Sequence, residues 1–254
     1  MLRTGNIKFD QPLSGETEAD APAKTLFLSE GEELIVAGST HPGEEGQILS
    51  CYEALQRRTP SLVLLLAPRH IERASHVQAA AGAKGFVAIR RSMCDSPARR
   101  EAQSGPPKRP RVVILDTRGE LATVYRYAVL AFVGGTLVPV GGHNLLEPAL
   151  WGKPVLFGPH TDHCTEIADL LLQAGGARRV QNGEQLAEEM AALLEDRPAL
   201  EGMGQAARTV VMENRGALKR TLDVIMDVLR APYPAETGRD HARETNNRAS
   251  SLVH

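Results

Sequence analysis

The sequence predicts an α/β fold, a parallel β-sheet covered by helices on both faces. Three observations predict it. Short apolar runs recur along the chain as unbroken hydrophobic stretches, whereas a strand with one wet face would alternate. The segments between the runs are long enough for a helix, the connection that parallel strands require. Most runs also end on polar or glycine-rich residues, which a sheet of this kind places at its carboxyl edge, where ligands bind. With 254 residues, 42% of them hydrophobic, the chain can bury a core of that size. Aromatic residues are only 4%, so Leu, Val, Ile and Ala must fill it.

The elements follow in order. ELIVA at 33–37, LVLLLA at 62–67, RVVIL at 111–115, VLAFV at 129–133 and PVLF at 154–157 read as buried strands. GFVAI at 85–89 and ARRV at 177–180 are weaker members of the same set. Residues 92–110 (SMCDSPARREAQSGPPKRP) are polar and proline-rich and read as a mobile surface loop. After Arg197 one long helical pattern runs to about Leu229. In it Leu218, Leu222, Ile225, Met226 and Leu229 draw a single apolar stripe. Residues 231–254 are polar and poor in hydrophobes, which predicts a disordered tail behind one domain spanning 1–230.

Composition excludes several classes. A net charge of -2 exerts no general pull toward nucleic acid or an anionic membrane. No apolar run approaches the roughly 18 residues that span a bilayer, and MLRTGNIKFD lacks the apolar region of a signal peptide. Cys51, Cys94 and Cys164 are odd in number and share no short spacing, so neither a disulfide framework nor a zinc ribbon is implied. A soluble chain in a reducing cytoplasm is the expectation.

The candidate chemistry sits at the strand ends. ELIVA runs into GSTHPGEE (38–45), LVLLLA into Pro68-Arg69-His70, RVVIL into DTRGEL (116–121), and PVLF into Gly158-Pro159-His160. VLAFV runs into a glycine-dense stretch containing Gly142-His143-Asn144. Asn144 can cap a helix whose free N–H groups favour an anionic or hydroxyl-rich ligand. Glu147, one turn on, can accept from a vicinal diol such as a ribose, and Gly119-Glu120 can open a second helix in the same way. Arg69 supplies a permanent fork for phosphate or carboxylate. Singly, each has a plainer reading: a turn, a first-turn glutamate on a helix dipole, a surface ion pair. Their place on one edge is what points to an anionic nucleotide.

Other patterns lead nowhere. Gly202-Met203-Gly204 begins a dinucleotide fingerprint but follows no strand, and no Walker-type phosphate loop is present. His160, His163 and Cys164 lie close together, yet their spacing matches no zinc pattern.

AGSTHPGEE, LLLAPRHIER, DTRGEL, FVGGTLVPVGGHNLLEPA and GKPVLFGPH resemble, in this order, the C-terminal half of the 3-deoxy-D-manno-octulosonic acid (Kdo) transferases. TGNIKFD resembles the start of that half, and the likeness covers about residues 4–229. The resemblance implies a Rossmann-like domain like the C-terminal domain of a GT-B glycosyltransferase. It implies transfer of Kdo from CMP-Kdo to a lipid A precursor at the cytoplasmic face of the inner membrane, with inversion and with neither cofactor nor essential metal. It places Pro68 and Arg69 at the CMP phosphate, and Arg118, Gly119 and Glu120 along the nucleotide. Gly142, His143, Asn144 and Glu147 would hold phosphate and ribose, while Ser39, Thr40, His41, Glu44 and His160 would face the interdomain cleft.

The chain departs from the pattern in two places. Arg118 stands where the family usually has Met, and His163-Cys164 where it usually has Asn-Phe. The resemblance also implies an N-terminal domain carrying the acceptor site, the membrane contact and the general base, and no counterpart to it is expected in this sequence. The alternatives are a non-catalytic nucleotide-sugar-binding module or remnant, or another GT-B enzyme such as a sugar-nucleotide epimerase.

Overall fold

A computed structural model describes residues 4–11, 28–94 and 111–230. Seven parallel strands form one sheet in the order β3-β4-β2-β1-β5-β6-β7. They are β1 (Glu33–Thr40), β2 (Leu62–Pro68), β3 (Val87–Arg90), β4 (Arg111–Ile114), β5 (Ala128–Val133), β6 (Val155–Phe157) and β7 (Ala177–Arg179). All seven runs read as strands in the sequence are strands here, and the fold is Rossmann-like. β1 is flanked by β2 and β5, so successive strands are added to one side of it first and then to the other. That reversal opens a crevice at the carboxyl ends, where a sheet of this topology binds ligands.

The unbroken apolar runs have a direct cause. In β1, Ile35 and Ala37 join the core on one face, and Leu34 and Val36 the core on the other. β2 divides in the same way, with Leu62, Leu64 and Leu66 on one side and Val63, Leu65 and Ala67 opposite. Alternation still directs the side chains, but both directions lead into protein.

Eight helices cover the sheet among the described residues: α1 (Glu45–Arg58), α2 (Ala74–Ala83), α3 (Leu121–Val124), α4 (Leu146–Leu150), α5 (Thr165–Gln173), α6 (Gly183–Glu195), α7 (Arg197–Asn214) and α8 (Ala217–Arg230). Their ends are written in local chemistry. The Asn182 side chain accepts the Gln185 N–H at 3.0 Å to start α6, and Asp196 accepts the Ala199 N–H at 3.0 Å to start α7. α1 and α6 bury Ile48, Leu49, Leu186 and Met190 in one core, while α4, α5 and α7 build a second with Phe9.

Two sequence expectations are corrected. The pattern after Arg197 is two helices, not one. Gly216 has φ +89°, a left-handed turn that ends the first, and Asp10 accepts the N–H groups of Gly216 and Leu218 to start the second. These two bonds, with nearby Arg215 and Arg220, hold the Asp10 carboxyl below its ordinary range. The segment from Ser92 is anchored where it begins: the Ser92 N–H and hydroxyl both donate to Asp116, at 2.8 and 2.6 Å, and Cys94 is buried. The rest of that predicted loop, and the predicted tail at 231–254, lie outside the described residues.

Candidate functional site

The carboxyl ends of β1, β2 and β4 enclose a cleft of about 530 Å³, on whose wall lie Ser39, Pro68, Arg69, Thr117, Arg118 and Gly119. Ser39 has φ +55°, the sole positive φ outside glycine among the described residues, in a conformation that costs on the order of 1–3 kcal/mol. It sits where the pairing of β1 with β2 shifts register between Gly38 and Thr40, so the chain turns sharply at the rim of the cleft. Arg69 and Arg118 are exposed there, and neither has an ion-pair partner among the described residues. Two uncompensated guanidinium groups on one wall make the cleft a site for an anion.

Gly135, Gly141 and Gly142 have positive φ, whereas Gly134 and Gly158 answer to close backbone packing. A Cβ at Gly134 would lie 2.5 Å from the Ser39 carbonyl oxygen, and one at Gly158 would lie 2.2 Å from that of Thr136. Both positions bring the ends of neighbouring strands together at the crevice.

Thr40 and Glu44 do not face the cleft. Each has essentially no exposed surface. The Glu44 carboxylate accepts four backbone N–H groups: His41 at 2.9 Å, Gly135 at 2.8 Å, Thr136 at 3.0 Å and Leu137 at 2.9 Å. A buried charge persists only when it is fully hydrogen-bonded, and here the bonds tie the loop after β1 to the loop after β5. Thr40 donates to Glu45 at 3.3 Å, and Glu45 is paired with Arg73 at 2.5 Å.

The remaining predicted residues are placed as follows. Glu120 lies beside the cleft, but its carboxylate is taken by Arg91 at 2.9 Å. Gly142 is buried and its N–H donates to the Gly135 carbonyl at 2.8 Å, so that amide is already used. Asn144 is not the N-cap, a position that Leu145 takes; one residue before it, the Asn144 side chain accepts the Leu146 N–H at 3.1 Å and donates to Glu147 at 3.1 Å and Gln11 at 3.0 Å. Burial raises the Glu147 carboxyl above its ordinary range, and the bond from Asn144 offsets part of that. His160 is half-buried, and its N–H donates to the Thr136 carbonyl at 3.0 Å.

His41 and His143 meet across the crevice, Nε2 to Nε2 at 2.7 Å with ring planes 7° apart. The His70 ring stands edge-on to His41 at 5.8 Å. Burial pushes His143 down to about 4, with His41 and Arg69 acting in the same direction. His41 is lowered as well, first by burial, with Glu44 opposing.

His70 and Thr117 also line the cleft; both fall in the strand-end segments that the sequence marks, but neither was given a role there. Their signal was adjacency, since each neighbours an arginine that was chosen. Gln11, which reaches Asn144 from the N-terminal segment, carried no such signal. Among the described residues, no cluster of three or more His, Cys, Asp or Glu is placed to hold a metal ion, and no helix is long and apolar enough to cross a membrane.

No protein-family model matches the chain. It is 37% identical over 227 residues to the 3-deoxy-D-manno-octulosonic acid transferase of Haemophilus influenzae, covering 89% of this chain and 51% of that protein. The chain thus spans about half the length of the curated relatives it matches. Among solved structures it is similar to the C-terminal CMP-Kdo binding domain of WaaA from Acinetobacter baumannii. The TM-score there is 0.65 at 28% identity, over 74% of this chain and 96% of that one. The glycosyltransferase WaaG of lipopolysaccharide biosynthesis, at 17% identity and TM-score 0.52 over 82% of this chain and 50% of that one, shares the fold, that of a GT-B half. Over the half of their length that it spans, the chain belongs to the 3-deoxy-D-manno-octulosonic acid transferase family.

Proposed function

We propose that this chain is the donor-binding part of a glycosyltransferase that moves Kdo from CMP-Kdo to a lipid A precursor. In this reading the acceptor and the general base are met on a separate N-terminal domain, at the cytoplasmic face of the inner membrane. The observation that carries the reading is the pair of uncompensated cations, Arg69 and Arg118, on one wall of a nucleotide-sized cleft. It is supported by the match to almost the whole of a solved CMP-Kdo binding domain.

The chemistry suits that wall. An acceptor hydroxyl attacks the anomeric carbon of Kdo, the bond from that carbon to the phosphate oxygen breaks, and CMP departs with the bonding electrons. A phosphodiester with one negative charge becomes a phosphomonoester with nearly two. Arg69, whose backbone N–H donates to the Thr40 carbonyl at 2.9 Å just past β2, would bring a permanent positive charge to that growing negative one. Pro68, Arg118 and Gly119 border the nucleotide, and Glu147, oriented by the Asn144 amide, offers an acceptor to ribose hydroxyls. Glu120 is held back by Arg91 and shapes the wall.

Calorimetric titration with CMP and UMP tests the assignment. CMP should bind, and bind more tightly than UMP. Equal affinities, or no binding of either, would remove the donor assignment.

A further inference from the structure

His41 follows β1 and His143 lies in the loop after β5, so the two rings meet where the strand order reverses. At 2.7 Å, one Nε2 must carry a hydrogen and the other a lone pair, since two N–H groups or two lone pairs would repel. The contact survives with the pair neutral, or with one added proton as an imidazolium donating to an imidazole. It does not survive two added protons.

Charged groups reach the pair from every side. Arg69 and His70, beyond β2, and His163, beyond β6, oppose positive charge on it. Glu44 and Glu45, at the start of α1, favour it on His41, but Glu44 is spent on four amides and Glu45 on Arg73. Burial, with Arg69 adding to it, lowers both rings and so favours the neutral pair. A phosphate dianion beside Arg69 would push the other way, since it would neutralise that guanidinium and bring negative charge of its own to a half-buried pair.

We propose that the His41–His143 pair is the proton-accepting part of the anion subsite, taking up one proton when a phosphomonoester dianion binds. The identity of the natural ligand rests on the donor reading above; the proton uptake does not. Each ring positions the other, since the hydrogen that one Nε2 donates fixes the other Nε2 as the acceptor. The pair thereby matches charge to the leaving nucleotide monophosphate, which carries about one negative charge more than the bound diester. Stabilisation that appears as the bond breaks accelerates the step, whereas equal stabilisation of both states would not.

The test is calorimetry of CMP binding to the full chain at pH 7.5, in buffers of differing ionisation enthalpy. At that pH the CMP phosphate, whose second pKa is about 6, is almost wholly dianionic, so protons taken up belong to the protein. Uptake approaching about one proton per CMP is expected, with affinity weakening up to roughly tenfold per pH unit above neutrality. Cytidine, which has no phosphate, should bind without uptake. His41→Asn and His143→Asn, checked for folding by circular dichroism, should each abolish uptake, and CMP should bind them more weakly with an affinity that no longer falls as pH rises above neutrality. CMP binding without proton uptake, or uptake that persists in both variants, would overturn the pair's role and leave the donor reading standing. Failure of CMP to bind at all would sink the donor reading instead. Inorganic phosphate then becomes the probe, with uptake supporting the pair and its absence overturning it.

Discussion

Replacing Glu44 with Gln removes a charge without changing shape, and the structure allows its cost to be worked out. Oε1 accepts from Thr136 and Leu137, and Oε2 from His41 and Gly135. The glutamine oxygen can keep one of these pairs, but its NH2 group must face the other two N–H donors. Two hydrogen bonds to a charged group are lost, at about 1.5–3 kcal/mol each, and the two that remain become neutral and weaker. Relief of the buried carboxylate's desolvation offsets part of this, which leaves a net loss of about 3 kcal/mol. Against a typical domain stability of about 5–15 kcal/mol that is a large fraction. Urea denaturation followed by far-UV circular dichroism should show the midpoint falling with an unchanged slope. A loss below about 1 kcal/mol would refute the claim that Glu44 staples the two loops, and would return it to the cleft.

Arg69→Ala should weaken CMP binding about tenfold or more while leaving thermal stability unchanged, since the side chain is exposed and has no ion-pair partner among the described residues. Calorimetry checks this, and an unchanged affinity removes Arg69 from the site. The folded His143 titrates near 4, whereas the unfolded chain takes up that proton near 6.5. Between those values the unfolded state binds more protons, so stability should fall as pH is lowered from about 6.5 to about 4 and be level above that window. Comparing pH-dependent denaturation of the native chain with His143→Gln should show a flatter curve in the variant. Gly158→Ala should destabilise by at least about 2 kcal/mol, because the new Cβ would lie 2.2 Å from a backbone oxygen that cannot move freely. A thermal melt at the native midpoint would contradict that packing.

The strands were legible because burial on both faces leaves an unmistakable trace in composition. Leu34 to Ala37 are all apolar since each alternate residue enters a different core, and no tertiary knowledge is needed to read that. The helix break at Gly216 was not legible, because apolar periodicity resumes beyond it. What starts the second helix is Asp10, some two hundred residues away in sequence. The placement of Arg69, Arg118, Pro68 and Gly119 at one cleft followed from the rule that strands of such a sheet present their carboxyl ends together.

Glu44 and His143 mark the boundary of what could be read. A glutamate after Gly43 carries no sequence sign that it turns inward onto the amides of Gly135 to Leu137. Nor does a histidine after two glycines show that its partner is another histidine 102 residues earlier. The sequence by itself determined the seven strands, their shared direction and the family, because these reside in local pattern and in ordered motifs. Only the tertiary structure decided the strand order, the tied-down Glu44, the engaged Glu120 and the His41–His143 contact. Each of these depends on which loops the sheet brings side by side, and that is a property of the closed sheet, not of any single stretch of chain.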